Sequence, residues 1–198
     1  MDGETLLTKA KRWALLTFRA ATPVSALRTG QIAKVVGLPS PARGLVTAPY
    51  SGRPCVAFRA WGIRIERSGR EARRVLLPEL TGGDGFWVED RTGRVQVRTE
   101  GYVRWEMPSE VARDTVETGR NLDAWFGANG QHLRTAFEGF GLDNSYYEQR
   151  IPEGVEVAVI GAVADADVPA PSRGGYREAS TAPALVPPPD GMLWLARR

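Results

Sequence analysis

The chain has 198 residues, of which 42% are apolar and 25% are charged, and its formal net charge is +3. This composition is typical of a folded globular protein and argues against a mostly disordered chain. The sequence contains no run of about 18 apolar residues, so it has no candidate membrane-spanning helix.

The single cysteine, Cys55, and the single histidine, His132, limit the chemistry of the chain. One cysteine cannot form an intramolecular disulfide, and two such ligands are too few for a structural zinc site or a RING finger. The sequence therefore predicts no bound metal and no cofactor.

Charge is distributed unevenly along the chain. Residues 1–78 carry fourteen lysines and arginines against four acidic residues, whereas residues 79–198 carry twelve arginines against nineteen acidic residues. Either the basic part binds an anionic partner such as nucleic acid or lipid headgroups, or the two parts neutralise one another in the folded protein. The second interpretation is favoured because the arginines are interspersed with strand-like apolar residues.

Residues 1–27 are predicted to form an amphipathic helix and a linker. Over residues 4–20, apolar side chains recur at helical spacing while basic side chains fall toward another face. Such a helix either docks on its own domain or lies at a membrane surface. Docking is favoured, and peripheral membrane contact through residues 4–20 is the alternative.

Two strands are predicted in the next part of the chain. The first covers residues 28–38 and ends before the proline-containing residues 39–41. The second covers residues 55–67, where the alternation of apolar side chains slips by one position. A bulge near Ala60 would explain that slip, because one added residue moves the following side chains to the opposite face.

A β-hairpin is the clearest local prediction. Two strands at residues 86–90 and 94–98 are separated by a short turn at 91–93 that contains glycine. Asp90, immediately before the turn, is expected to cap it by accepting hydrogen bonds from backbone amides.

A helical insertion is predicted at about 108–140. Patterns at 108–126 and 129–140 are compatible with helices, with Pro108 and Ser109 as the start, and the glycines at positions 119 and 127 predict short or broken helices.

Strands return after this insertion. They are predicted at 146–151 and 155–164, with a turn at 152–154 between them. Residues 165–190 hold six of the fourteen prolines and predict an irregular surface loop. The apolar residues 191–196 predict a last strand. Together the elements predict a mainly β (α+β) domain over residues 28–198, built as a partly closed barrel or a sandwich.

Short motifs in a fixed order resemble the GIDE domain, also called BAM for "beside a membrane". Such domains occur in mitochondrial and chloroplast membrane-anchored RING ubiquitin ligases and in many prokaryotic proteins. The resemblance covers roughly residues 28–196 and rests on the following segments: 51–56 (SGRPCV), 86–90 (FWVED) with 92–95 (TGRV), 147–148 (YE) with 151–152 (IP) and Gly154, 155–162 (VEVAVIGA), and 191–195 (GMLWL).

The resemblance implies an OB-like barrel with an inserted helical segment and a non-catalytic role in binding a partner or sensing near a membrane. In the eukaryotic relatives, a RING recruits the ubiquitin-charged conjugating enzyme. Neither the RING nor the flanking transmembrane helices are found in this sequence, so ubiquitin ligase activity remains a family association only. We expect a cytoplasmic location, with a membrane-peripheral one as the alternative.

Cys55 and His132 are weak catalytic candidates. An activated Cys55 would need His132 as its base, and Arg53 and Arg59 could lower the pKa of its thiol. The ordinary interpretations are a small buried side chain for Cys55 and a solvent-facing or capping residue for His132. We therefore predict no catalytic residue and no enzymatic activity.

The predicted binding surface combines basic, aromatic and acidic residues. Glu148 is also expected to pair with an arginine from the basic first half. The members of the surface are Arg53, Arg59, Arg64, Arg67, Trp87, Glu89 and Glu148.

Aromatic residues have two interpretations. Most should lie in the core, because aromatic side chains contribute the largest buried areas. On an OB-like barrel they could also form a stacking surface for nucleic acid. The residues concerned are Phe58, Trp61, Phe86, Trp87, Trp105, Trp125 and Trp194.

Three functions follow from these observations. The first is a non-enzymatic interaction or regulatory domain that binds a protein partner. The second is an accessory component of ubiquitin or ubiquitin-like transfer, which would work with a separate RING or conjugating-enzyme partner. The third is binding of single-stranded nucleic acid by the OB-like barrel.

Overall fold

The computed structural model describes most of the chain after residue 19. The described ranges are 20–68, 71–83, 85–100, 103–113, 115–130, 134–137, 144–169, 181–189 and 192–197. The amphipathic helix predicted over residues 4–20 lies outside these ranges except for its last residue. His132 also lies outside them.

The described residues form fourteen strands, two α-helices and a short 3-10 turn at Val24–Ala26. The strands are β1 (Ile32–Pro41), β2 (Val46–Thr47), β3 (Pro54–Cys55), β4 (Ala57–Ser68), β5 (Glu71–Leu76), β6 (Leu80–Gly82), β7 (Phe86–Asp90), β8 (Gly93–Val97), β9 (Val103–Glu106), β10 (Glu110–Arg113), β11 (Ser145–Ile151), β12 (Val157–Pro169), β13 (Thr181–Val186) and β14 (Leu193–Arg197). The helices are α1 (Val116–Asn129) and α2 (Arg134–Phe137).

These elements belong to two compact units. Unit 1 draws on Met1–Ala42, Asp84–Glu106 and Gly154–Arg198, and unit 2 draws on Arg43–Gly83 and Met107–Glu153. Unit 2 is therefore made of two insertions into the chain of unit 1. The predicted helical insertion lies within the second of them, and the strands of unit 2 come from both.

Unit 1 contains a closed five-stranded barrel, so the predicted mainly β, OB-like barrel is confirmed. The order around the barrel is β1, β7, β8, β13, β12 and back to β1. Only β8 and β13 pair in parallel among these strands. Closure leaves no free edge on the ring itself. The predicted last strand is also confirmed, because β14 pairs with β12 and carries β9 on its other side.

Branched and aromatic side chains fill the core of unit 1. They come from alternate positions along the barrel strands, as expected where one face of each strand is buried. The fully buried members are Val35, Phe86, Val88, Val95, Val97, Val159 and Leu185.

The strand β1 continues through Pro39 and Pro41, so the prediction that it ends before residue 39 is wrong. Residues 32–37 pair with β12, whereas residues 38–41 pair with β7. Over the second stretch β7 is the only described strand that pairs with β1. A proline is tolerated there because its missing N–H can face the unpaired side.

Gly37 lies where β1 changes partner. A Cβ atom at this position would clash with the backbone carbonyl oxygen of Glu89 in β7. The absence of a side chain therefore lets the two strands approach at the crossover.

The predicted hairpin is confirmed as β7 and β8. Asp90 caps its turn, because Oδ1 accepts hydrogen bonds from the backbone N–H groups of Thr92 and Gly93 and from the Thr92 hydroxyl. Its Oδ2 accepts a further bond from the backbone N–H of Val24 at 2.9 Å. That contact ties the segment before β1 to the hairpin.

The prediction of an irregular loop over residues 165–190 is wrong for residues 165–169 and 181–186, whereas residues 187–189 are outside any strand, as predicted. Strand β12 continues to Pro169, and β13 contains Pro183. The ladder between these strands shifts register between Asp165 and Pro169. Such an irregularity accommodates residues that cannot donate a backbone hydrogen bond. Residues 170–180 lie outside the described ranges.

Unit 2 contains a five-stranded sheet with α1 on one face. Strands β10, β11, β4 and β5 are neighbours in that order, and β6 also pairs with β4. The predicted strand at 146–151 is confirmed as β11, and the predicted turn after it is present, with Gly154 at a φ of 75°. Core residues shared by the sheet and the helices include Phe58, Ala60, Leu80, Leu122, Phe126, Phe137 and Tyr146.

Helix α1 begins later than predicted. The residues after Pro108 and Ser109 form β10, which pairs with β11. Thr115 caps the helix by accepting a hydrogen bond from the backbone N–H of Thr118. The helix is unbroken for 14 residues across its glycines, so the prediction of short or broken helices is wrong for α1, whereas α2 is short, with four residues. Packing against the sheet outweighs the cost of about 1 kcal/mol per glycine.

Strand β4 has no bulge near Ala60, contrary to the prediction. From Ala57 to Ile63 it pairs with β11 in one uninterrupted register. Ala60 faces the core, whereas Trp61 and Ile63 begin an apolar row on a second face. The apparent slip arises because both faces of this strand carry apolar side chains.

Candidate functional site

The face of the unit 2 sheet opposite α1 carries aromatic and aliphatic side chains. Directly paired residues of antiparallel strands point to the same face. Trp61 pairs with Tyr147, and Tyr147 pairs with Val111. Ile63 pairs with Leu76. The surface formed by Arg59, Trp61, Ile63, Leu76, Val111 and Tyr147 is called the open face below.

Two aliphatic residues of the open face are strongly exposed. Leu76 is 76% exposed and Val111 is 62% exposed. Isolated exposed apolar residues are ordinary, but a contiguous apolar patch marks a binding surface. Both residues flank the row of Trp61 and Tyr147.

The rings of Trp61 and Tyr147 stack on each other across β4 and β11. Their centroids are 5.5 Å apart and their planes differ by 11°. The guanidinium of Arg59 lies 5.2 Å from the centre of the Trp61 ring and forms a 2.7 Å ion pair with Glu79. The open face thus has a preordered aromatic centre beside a cation.

A basic hairpin extends the sheet beside the open face. It is formed by residues 64–67 of β4 and 71–74 of β5, which pair in a regular register. Glu66 stands directly opposite Arg73 in this register. Four arginines outnumber two glutamates there, namely Arg64, Arg67, Arg73 and Arg74 against Glu66 and Glu71.

Glu148 is not part of the open face, because its side chain is only 1% exposed. Its Oε2 accepts hydrogen bonds from the backbone N–H groups of Tyr50 and Ser51, and its Oε1 accepts one from the Ser51 hydroxyl at 2.6 Å. The carboxylate is therefore used to hold the loop between β2 and β3.

The arginine that pairs with Glu148 comes from its own strand. Arg150 Nε lies 3.1 Å from Glu148 Oε1, so the prediction of a partner from the basic first half is wrong. Arg150 also donates to Glu110 at 2.7 Å, and the exposed Arg53 lies 3.8 Å from Glu110. Arg53 is thus the outer end of an ion-pair chain that leads inward to Glu148.

Cys55 is buried beneath the same loop. Burial is the main factor that raises the pKa of its thiol to about 12, Glu148 adds to this effect, and Arg150 opposes it. The expected lowering of this pKa by Arg53 and Arg59 is therefore not found. The thiol is protonated at neutral pH and donates to the Val46 carbonyl oxygen at 3.5 Å. A protonated, buried thiol is a packing group and a poor nucleophile.

The predicted surface residues fall into both units. Trp87 and Glu89 belong to unit 1, on one face of β7. Trp87 is largely buried, and the guanidinium of Arg94 lies 4.7 Å from its ring centre. In unit 2 the predicted arginines occupy three places: Arg59 on the open face, Arg64 and Arg67 on the basic hairpin, and Arg53 beside Glu110.

Sequence reasoning missed four members of the open face as site residues, namely Ile63, Leu76, Val111 and Tyr147. Tyr147 stands in a motif and in a predicted strand, so its alternation with Tyr146 was the available signal. Leu76 lies outside every predicted element, and Val111 lies in a predicted helix. For these two residues no local signal exists, because their exposure depends on strand pairing.

Within the described residues, no group of three histidine, cysteine, aspartate or glutamate side chains is arranged to hold a metal ion. The described part of the chain also contains no helix with the length and apolar character needed to cross a membrane. No family model matches the chain, and neither a curated protein nor a solved structure matches it.

Proposed function

We propose that the protein is a non-catalytic interaction module, similar in kind to the GIDE domain, that binds a protein partner through the open face. The observation that carries the proposal is the exposure of Leu76 and Val111 beside the stacked rings of Trp61 and Tyr147. Aromatic residues and arginine are enriched at the energetic centres of protein interfaces.

The reactive side chains of unit 2 support a non-catalytic role. Cys55 is buried and protonated, and the carboxylate of Glu148 is occupied by the backbone N–H groups and hydroxyl that it binds. Both groups stabilise the loop that carries the SGRPCV motif. The open face is formed by different residues.

Single-stranded nucleic acid is the second candidate ligand. The contact between Arg59 and Trp61 and the excess of arginine on the basic hairpin favour it, because bases stack on aromatic rings and phosphates attract arginine. A protein partner is preferred for two reasons. Trp61 and Tyr147 stack on each other, which occupies one ring face of each. Leu76 and Val111 offer aliphatic surface, on which bases gain no stacking.

The accessory role in ubiquitin-like transfer rests on the resemblance to the GIDE domain alone. It is a special case of the same proposal, in which the partner is a RING protein or a conjugating enzyme. We place the module in the cytoplasm. Peripheral membrane contact through residues 4–20 is tested by liposome flotation of the full chain with and without those residues.

The test is chemical crosslinking and capture with the full chain as bait in a native lysate. Leu76→Glu and Val111→Glu are combined in one variant, since both side chains are exposed and the change should leave the fold intact. Val116→Glu is the matched control, because Val116 is 74% exposed but lies on α1.

The proposal expects a protein that is recovered by the wild-type chain and by Val116→Glu but lost with the double variant. Circular dichroism and the urea midpoint establish that the variants are folded. Recovery that is unchanged by the double variant, or recovery of no protein, would overturn the proposal. Salt-dependent binding of oligonucleotides that is lost with the double variant would favour the second candidate.

A further inference from the structure

Strand β5 lies at the edge of the unit 2 sheet. It is the last in the order β10, β11, β4, β5, and no described strand pairs with its other side. Its six residues, Glu71–Leu76, are exposed except for the half-buried Val75. An edge of this length presents backbone donors and acceptors to which another chain can add.

The backbone groups that face outward can be identified from the ladder. The N–H of Leu77 donates to the carbonyl oxygen of Gly62 at 2.9 Å, next to the paired residues Ile63 and Leu76. Hydrogen-bonded and non-hydrogen-bonded pairs alternate in an antiparallel ladder. The inward groups therefore belong to Glu71, Arg73 and Val75, and the outward groups belong to Ala72, Arg74 and Leu76.

The charge of this edge indicates the class of partner. Arg73 and Arg74 are adjacent on β5, and Arg67 stands opposite Ala72 on the neighbouring strand. In the two antiparallel registers of greatest overlap, a second copy of β5 would place either Arg73 opposite Arg73 or Arg74 opposite Arg74. Like charges directly opposite each other destabilise a strand pair. An acidic segment is favoured at the same place.

We infer that the outer edge of β5 binds an extended acidic segment of the protein partner, which adds to the sheet as a further strand. This inference rests on the proposed function and names the binding mode and charge of the partner. Backbone hydrogen bonds to Ala72, Arg74 and Leu76 would hold the segment. Acidic side chains on one face of the segment would lie beside Arg73, and apolar side chains on its other face would continue the open face next to Leu76.

The probe is a synthetic eight-residue peptide of alternating glutamate and valine, added to the full chain and followed by amide hydrogen exchange and NMR. We expect exchange to slow at the amides of Ala72, Arg74 and Leu76. A peptide of alternating lysine and valine should have no effect. Exchange that stays unchanged at all three amides would overturn the inference.

Substitutions at Ala72 separate backbone pairing from side-chain contact. Ala72→Pro removes an outward N–H but leaves the ladder to β4 intact, since prolines are tolerated on edge strands in this orientation. Ala72→Val keeps the N–H and is the control. The proline variant should lose the peptide and the valine variant should retain it. Equal binding by both variants would contradict strand addition.

The outcomes of the two experiments are distinguishable. If the captured protein depends on Leu76 and Val111 but is retained by Ala72→Pro, and the peptide leaves the three amides unchanged, strand addition is wrong while the proposed function stands. If no captured protein depends on the open face, the proposed function fails whatever the peptide does.

Discussion

The carboxylate of Glu148 accepts a 2.6 Å hydrogen bond from the hydroxyl of Ser51, which lies 97 positions earlier in the chain. These two residues belong to separate motifs of the resemblance to the GIDE domain. Their contact joins the loop between β2 and β3 to the central strand β11. Two short motifs that have no evident local purpose thus stabilise one buried junction in unit 2.

Removal of the Glu148 carboxylate should therefore destabilise unit 2. Glu148→Ala leaves two backbone N–H groups without their acceptor and Arg150 without its buried partner. We expect the free energy of unfolding to fall by about 3–5 kcal/mol, as measured by urea denaturation. Glu110→Ala is the control, because its exposed carboxylate should contribute less than about 1 kcal/mol. Equal losses in the two variants would contradict this assignment.

Asp90, which caps the turn of the β7–β8 hairpin, should make the free energy of unfolding depend on pH in the acidic range. Burial raises the pKa of Asp90, but hydrogen bonds from the Thr92 side chain and from the backbone of Val24, Thr92 and Gly93 outweigh it and hold the pKa below the ordinary value. Because the folded-state pKa is lowered, the stabilisation is complete above the unfolded pKa of about 3.9. It is lost as the pH falls through the lower folded-state pKa.

Asp90→Asn tests that pH dependence. At pH 7 the variant should be less stable by about 1–2 kcal/mol, and the difference from the wild type should shrink at acidic pH as the native carboxylate becomes protonated. Urea midpoints measured from neutral to strongly acidic pH give the comparison. A difference that stays constant over the whole range would show that charge at Asp90 does not contribute.

The thiol of Cys55 should resist alkylation in the native protein. Its burial and its pKa of about 12 leave almost no thiolate at pH 8. Iodoacetamide should therefore modify Cys55 only after unfolding in urea, as followed by mass spectrometry. Partner capture by Cys55→Ala should match that of the wild type. Rapid modification of the native chain would reopen the catalytic interpretation.

Replacement of either glycine of α1 by alanine should stabilise the protein. A Cβ atom at Gly119 or Gly127 would meet no heavy atom within 4 Å. Alanine at either position should raise the free energy of unfolding by about 0.5–1 kcal/mol, because glycine costs that much in a helix interior. Thermal unfolding monitored by circular dichroism measures the gain. A loss of stability would indicate an unrecognised constraint on the helix.

Substitution of Gly37, unlike that of the glycines in α1, should lower the free energy of unfolding. Its missing Cβ makes room for the carbonyl oxygen of Glu89 at the crossover of β1. Gly37→Ala should lower the free energy of unfolding by at least about 1–3 kcal/mol, which is typical of overpacking. The same thermal measurement applies. A neutral result would mean that the barrel can widen at this point without cost.

Local patterns predicted the elements whose causes are local. The hairpin of β7 and β8 has alternating apolar residues around a short turn, and the cap formed by Asp90 Oδ1 uses the amides of Thr92 and Gly93, which directly follow it. Strand β11 and the last strand β14 were likewise indicated by their own side chains. These predictions are confirmed because each depends on only a few neighbouring residues.

The errors arose where strand pairing decides the outcome. Pro39 and Pro183 lie within strands because a missing N–H is tolerated at both places. Pro39 lies where β1 pairs with β7 on one side, and Pro183 lies near the register shift between β12 and β13. Residues 110–113 look helical in isolation but form β10 because β11 lies beside them. Non-local partners can override local propensity in this way, particularly in strands.

The amino-acid sequence by itself determined the mainly β class of the chain, its hairpin, and the presence of only one cysteine and one histidine. Only the tertiary structure decided that Trp61, Tyr147, Leu76 and Val111 share one face, on which Leu76 and Val111 are exposed, and that Glu148 is buried. The physical reason is that a side chain's face follows from its own strand, whereas its neighbours and its exposure follow from the register of strands distant in the chain.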